Sequence, residues 1–168
     1  MRCPKCKSEM EKVVGSYQYR ESGLDNVKLE QWPMLTCSAC QIRLPLVPDP
    51  HGMAQLITGA LVRQRARLNG DFIVFIRKAM GQTATGLANI LGVARGSVSR
   101  WENEKAEIDP YYDFKLRMEA IDQVLPVEER RTAREEVAQI FQRQYRPDLS
   151  VSDERITVPP KAEMVACV

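Results

Sequence analysis

The sequence predicts an α+β fold made of two unlike parts: a small β-rich module over residues 1–50, then an all-α domain with extra helices at its C-terminal end. Three observations carry this reading. Two C-x-x-C pairs, CPKC at 3–6 and CSAC at 37–40, bracket two segments of alternating polarity. PDPHG at 48–52 packs two prolines and a glycine into one short boundary. Beyond it, apolar residues recur at helical spacing instead of strand spacing.

The strands come first. VVGSYQYR (13–20) and NVKLEQW (26–32) alternate in polarity and are rich in β-branched and aromatic residues, and ESGLD between them supplies a glycine turn. IRLPLVP follows as a short extended piece that its prolines limit to a sheet edge. MAQLITGALVRQRARL then predicts a helix with Leu56, Ala60, Leu61 and Leu68 on one face and arginines on the other. Asn69 or Asp71 caps the next helix, FIVFIRKAM, which ends at Gly81. TATGLANIL is stopped by Gly92, and GVARGSVSRWENE follows. A further helix begins near Pro110 and completes a domain over 51–125. VEERRTAREEVAQIFQRQY, behind Pro126, reads as an acidic, solvated helix over 126–145. From Arg146 onward large apolar residues are sparse and two prolines adjoin, so 146–168 is expected to be a disordered tail.

Charge is unevenly spread. The net +2 divides into +1 over residues 1–53, +5 over 54–105 and −4 over 106–168. Phosphate is therefore a plausible partner for the middle of the chain only. No apolar run reaches the roughly 18 residues of a membrane span, and MRCPKCK lacks the apolar segment of a signal peptide. A cytoplasmic chain with no membrane partner is the expectation. Nothing resembles an enzyme's machinery: no paired carboxylates in an apolar setting, no glycine-rich phosphate loop, no nucleophile beside a base.

Cys3, Cys6, Cys37 and Cys40 are the candidate metal ligands. Each C-x-x-C turn puts two thiolates on one side of a tight knuckle, and two knuckles at the ends of adjacent strands complete a zinc-ribbon-like tetrahedral S₄ site suited to Zn²⁺. Iron fits the same ligands. Disulfides do not suit a cytoplasmic chain. A thioredoxin-like motif needs a strand before the first cysteine, and residue 3 has none. Four thiolates leave no open position for water, so the metal would be structural. In a module this small, metal binding on the order of 10–16 kcal/mol decides whether it folds. Knuckles of this kind want positive φ right after the second cysteine, usually on glycine; here Lys7 and Gln41 stand there. Cys167 and His51 suggest no role.

TATGLANILGVARGSVSRWENE has the shape of a helix-turn-helix. Leu87, Ala88, Leu91, Val93 and Val98 would pack the two helices, and Gly92 would turn the chain in the αL conformation. Arg95, Gly96, Ser97, Ser99 and Arg100 are left outward, suited to phosphates and guanine edges. Asn103 and Lys105, just beyond, complete the DNA-facing set.

FIRKAMG…GLANILGVARGSVSRWENE resembles the helix-turn-helix of lambda-repressor-like (Cro/C1, Xre) regulators. That resemblance implies that Arg95, Gly96, Ser97 and Arg100 approach base edges and that Arg77 pairs with Glu102. Where those regulators often place a phosphate-binding glutamine, this chain has Ala84, with Thr83 or Thr85 as substitutes. CPKC, YRESGLDNVKLE, CSAC and the helical part together resemble the YgiT/MqsA-type zinc-finger plus helix-turn-helix regulators over about residues 1–125. The resemblance implies a homodimeric repressor on a palindromic double-stranded operator, acting as the antitoxin of a pair and binding a toxin protein through its zinc module. The competing expectation is a zinc-stabilised protein-interaction adaptor with no specific DNA binding. The apolar faces of 110–125 and 127–141 are the expected dimer contact.

Overall fold

The alternating N-terminal segments pair as an antiparallel hairpin. The computed structural model describes residues 1–47, 49–150 and 155–160. In it β1 (Glu11–Gln18) runs against β2 (Val27–Thr36), with Glu11 opposite Thr36 and Gln18 opposite Lys28. A 3-10 turn (Arg20–Ser22) and Gly23 at φ 79° close the loop. The Gln18 amide donates across it to the carbonyls of Asp25 and Val27. The ladder slips between Gly15 and Tyr17: Ser16 faces both Glu30 and Gln31, and Gln31 takes φ 50°. This bulge breaks the simple alternation of β2, so that Trp32, Pro33, Met34 and Leu35 are all buried. β3 (Arg43–Pro45) pairs antiparallel with Met34–Thr36 and forms the edge its prolines require. The order is β1-β2-β3.

The chain divides into two units: Met1–Asp49 with the residues described from Thr157 on, and Pro50–Ile156. Among its described residues the second holds six α-helices: α1 (Pro50–Val62), α2 (Gly70–Ala79), α3 (Ala84–Leu91), α4 (Arg95–Glu102), α5 (Pro110–Val124) and α6 (Val127–Arg143). Their starts follow the sequence signals. The Asn69 side chain accepts from the N–H of Phe72, Thr83 from Gly86, and Asp109 from Tyr111 with Pro110 behind it. α1 packs against α2 and α5, α2 against α4, α3 against α4 and α5, and α5 against α6. Ile57, Leu61, Phe72, Ile76, Leu87, Leu91, Val98, Leu116, Ile121 and Val137 are buried. No helix among the described residues is long and apolar enough to cross a membrane.

Three expectations need correction. The predicted first helix stops at Val62 instead of reaching Leu68, and its buried line is Met53, Ile57 and Leu61, with Leu56 and Ala60 only half-buried. Ala66–Arg67 is extended (β4) and pairs in parallel with Arg146–Ser150 (β5), so the second unit is not purely helical. The region expected as a disordered tail therefore carries β5, and further along β6 (Ile156–Val158), which pairs with β2. Residues 151–154 and 161–168, Cys167 among them, lie outside the described residues.

A buried ion pair meets the chain where α1 stops. Arg117 and Asp113 of α5 are fully buried and paired at 2.7 Å. The guanidinium also donates to the carbonyls of Val62 at 3.2 Å and Ala66 at 2.7 Å, and to that of Gln64. It thus collects groups that the end of α1 leaves open. Asp113 accepts in addition from the N–H of Leu68 and the hydroxyl of Tyr145. Phe141 and Tyr145 of the α6 end stack at 4.1 Å, and Arg117 lies 5.0 Å from the Phe141 ring centre. Burial, with the Asp113 carboxylate beside it, holds the Tyr145 phenol well above its usual range.

Candidate functional site

The four-cysteine cluster, a candidate metal site, is built from two copies of one local structure. In the first knuckle the N–H of Lys7 donates to the carbonyl of Cys3 at 3.0 Å, and the N–H of Cys3 to the carbonyl of Ser8 at 2.8 Å. In the second, Gln41 donates to Cys37 at 2.8 Å and Cys37 to Ile42 at 3.0 Å. Lys7 at φ 64° and Gln41 at φ 58° occupy the left-handed positions that glycine would fill without cost. The antiparallel β2 carries the second knuckle from its end at Thr36, while the Arg2–Glu9 bridge closes the first.

All four Sγ atoms lie within 4.8 Å of one another, with Cys3–Cys40 at 3.5 Å and Cys6–Cys37 at 3.4 Å. A tetrahedron with metal–sulfur bonds of ~2.3 Å has edges of ~3.8 Å, so the spacing is compatible with a zinc site. Its walls are apolar: Met10 and Leu35 are buried against it, with Ile42, Leu44 and Leu46 partly so.

The sulfurs stand in unequal surroundings. The Ser8 hydroxyl and backbone N–H, then the Cys37 thiol, hold Cys6 down at about 6. The N–H of Cys6 lowers Cys3. At Cys40 the N–H of Ile42 works in the same direction, but burial and the three neighbouring sulfurs outweigh it and push the thiol up to about 12. One cage therefore favours some thiolates at the expense of another, as expected for like charges in contact. Cys3, Cys6, Cys37 and Cys40 are placed closely enough that they would hold a divalent soft cation together. With four thiolates bound, such an ion has no position for substrate or water, so what it supplies is cross-linking of two knuckles.

The second candidate is the outer surface of α4. α3 ends in Gly92 at φ 74°, whose N–H returns to the carbonyls of Ala88 and Asn89. α4 starts three residues later, with Ala94 extended before it. Val98 and Trp101 point inward and are buried. Arg77 of α2 grips Glu102 through Nε and Nη2 and donates to the Gln82 carbonyl at 3.0 Å, which ties α4 to α2. At the same junction Gly70 leaves no room for a side chain: a Cβ there would sit 2.5 Å from the carbonyl oxygen of Glu102.

On the opposite face Arg95, Gly96, Ser99 and Arg100 are exposed together, as are Asn103 and Lys105 just beyond the helix. The remaining site residues divide. Ser97 is half-buried and accepts from Arg100 Nη2 at 3.3 Å. The Asn103 amide is engaged with the carbonyl of Ser99 at 2.7 Å. Thr85 is exposed at the start of α3, but the Thr83 hydroxyl is used as the α3 cap, accepting from Gly86 at 3.0 Å. Val93, expected to pack between the helices, is only half-buried. Sequence reasoning missed Lys115, whose Nζ donates to the Leu91 carbonyl at 3.0 Å, and Arg67, which binds Glu107 through both nitrogens and the Pro147 carbonyl. The one available signal was Lys115's place one turn after Tyr112 on the same face of α5.

The faces of α5 and α6 expected to serve a dimer are spent inside the protomer: Leu116, Ala120, Ile121, Val124, Ala133 and Val137 are all buried. Tyr111 and Val127 are the large apolar side chains of this unit that stay exposed among the described residues. Comparison with protein families, with curated proteins and with solved structures finds no match to this chain.

Proposed function

We propose that this chain is a sequence-specific DNA-binding transcriptional regulator, with α3 and α4 acting as a lambda-repressor-like helix-turn-helix and the four cysteines holding a structural Zn²⁺. The observation that carries the reading is the two-faced α4, with Val98 and Trp101 inside and Arg95, Gly96, Ser99 and Arg100 outside. Long forked donors beside short polar groups suit phosphates and guanine O6 and N7. The +5 charge of residues 54–105 supports the same partner. Selection of bound duplexes from a random pool tests it. Replacing Arg95 and Arg100 by alanine should cost roughly 1–3 kcal/mol each in affinity for the selected duplex. Full affinity in the double variant would sink the proposal.

One recognition helix spans only about four or five base pairs, so the regulator acts as a homodimer on a palindrome with half-sites ~34 Å apart. With the α5 and α6 faces occupied, the contact falls on another surface, and sedimentation of a micromolar sample with and without the selected duplex measures whether it forms. The likeness to YgiT/MqsA-type proteins supports repression and an antitoxin role, with a toxin held by the zinc module; a small basic reading frame beside this one in the genome is the check. Metal analysis of the purified chain should give one zinc per chain, and the visible absorption of an iron–thiolate centre would contradict it.

A further inference from the structure

We propose that Lys115 and Tyr112 of α5 are positioning residues that fix the angle between α3 and α4, and so set how α4 meets DNA. The proposal rests on the DNA-reading assignment above. It starts from the end of α3. A helix leaves its last carbonyls without partners, and a positive charge there is favourable. α3 has no basic residue in its own last turn. Its C-terminal turn satisfies two of those carbonyls from Gly92 and Val93, both of which reach back to Ala88, with Gly92 also reaching Asn89. The Leu91 carbonyl receives the Lys115 ammonium instead, at 3.0 Å and partly buried. The missing charge is thus supplied by another helix. Glu119, one turn on from Lys115 and its ordinary helical partner, takes its hydrogen bond from Gln123 at 3.1 Å.

Tyr112 stands three residues before Lys115, hence on the same face of α5. Its ring centre lies 5.6 Å from that of Trp101, with the planes tilted by 38°. Trp101 is the buried anchor of α4. One face of α5 therefore holds the carboxyl end of α3 by charge and α4 by an aromatic contact. Neither helix can swing without breaking one of these. Asp109 and Pro110 fix where that face begins, since the Asp109 carboxylate caps the Tyr111 N–H at 2.9 Å.

The rival role for a lysine near a DNA surface is a direct phosphate contact, and salt dependence separates the two. The probes are the duplex selected from the random pool and a scrambled duplex of equal length. Lys115→Met should bind the selected duplex roughly tenfold more weakly, the scale of a charged hydrogen bond, with scrambled-duplex binding and the log–log salt slope unchanged. Lys115→Arg should restore most of the loss, and Tyr112→Ala should resemble Lys115→Met while Tyr112→Phe does not. Without DNA, amide exchange at Gly92 and Val93 should speed up in Lys115→Met. A salt slope shallower by about one, with scrambled binding falling in step, would make Lys115 a phosphate contact and overturn the proposal. So would unchanged exchange together with unchanged selectivity. A wild-type chain that selects no duplex would remove the DNA reading and this proposal with it; that failure is distinguishable because the exchange measurement needs no DNA.

Discussion

The two units meet the same problem, burial of charge, in opposite ways. In the N-terminal unit the interior beside the sheet ends is made of sulfur: Cys3 and Cys37 are fully buried with Met10 and Leu35. Four sulfurs gathered there could hold a cation that the chain itself does not supply. In the helical unit Arg117 is just as deeply buried, yet every partner is internal: the Asp113 carboxylate and the carbonyls of Val62, Gln64 and Ala66. Under the Zn²⁺ assignment proposed above, the first arrangement folds conditionally on an ion. The second is closed and is reached by folding alone.

Removing the metal is the hardest test of that contrast. A zinc-saturated chain treated with excess chelator, or carrying Cys3→Ser, should lose the N-terminal unit, an effect on the order of 10 kcal/mol for a closed thiolate site. Amide exchange read unit by unit checks it. Residues of β1 and β2 should exchange at unfolded rates while α2, α4 and α5 keep their protection. Protection of both units in chelator would erase the distinction.

The corresponding break in the helical unit is Arg117→Met. Removing one partner of a buried pair typically costs 3–5 kcal/mol, because the other charge is left in the interior. Asp113 retains the N–H of Leu68 and the hydroxyl of Tyr145, which places the expected loss at the lower end, about 3 kcal/mol. Urea unfolding followed by helical circular dichroism measures it. The double variant Arg117→Met with Asp113→Leu should recover much of the loss. A single variant within about 1 kcal/mol of wild type would mean that the pair does not hold the end of α1.

What the sequence disclosed follows the same division. The four cysteines were legible because metal chemistry fixes residue type and spacing together. Even the strain was visible in advance, since Lys7 and Gln41 stand where positive φ is needed and adopt it. Gly92 and the Asn69 cap were legible for the same reason: local geometry narrows the choice of residue. The Arg117–Asp113 pair was not, because a basic and an acidic residue four apart on a helix usually face water. Tyr145, Phe141 and the carbonyls of Val62, Gln64 and Ala66, all distant in sequence, make that burial tolerable. β4 and β5 were hidden by their shortness; Ala66–Arg67 has too few residues to show a period.

Two glycines give the finest comparison, one closing the scaffold and one opening its outer face. Gly70→Ala drives a Cβ into the backbone of Glu102, which has no flexible end to move aside. It should destabilise by roughly 1–3 kcal/mol, the usual range for overpacking, and loosen the Arg77–Glu102 contact at the end of α4. Gly96→Ala meets only the tip of Arg100 at 3.6 Å, an ordinary contact. Alanine also favours the helix by up to about 1 kcal/mol, less near its first turn. The thermal midpoint should therefore stay level or rise slightly. If Gly96 is clearance for a DNA surface, the same variant should bind the selected duplex several-fold more weakly despite its equal or greater stability. A loss of stability together with binding would make Gly96 part of the scaffold, and unchanged binding would leave its exposed position without a role in reading DNA.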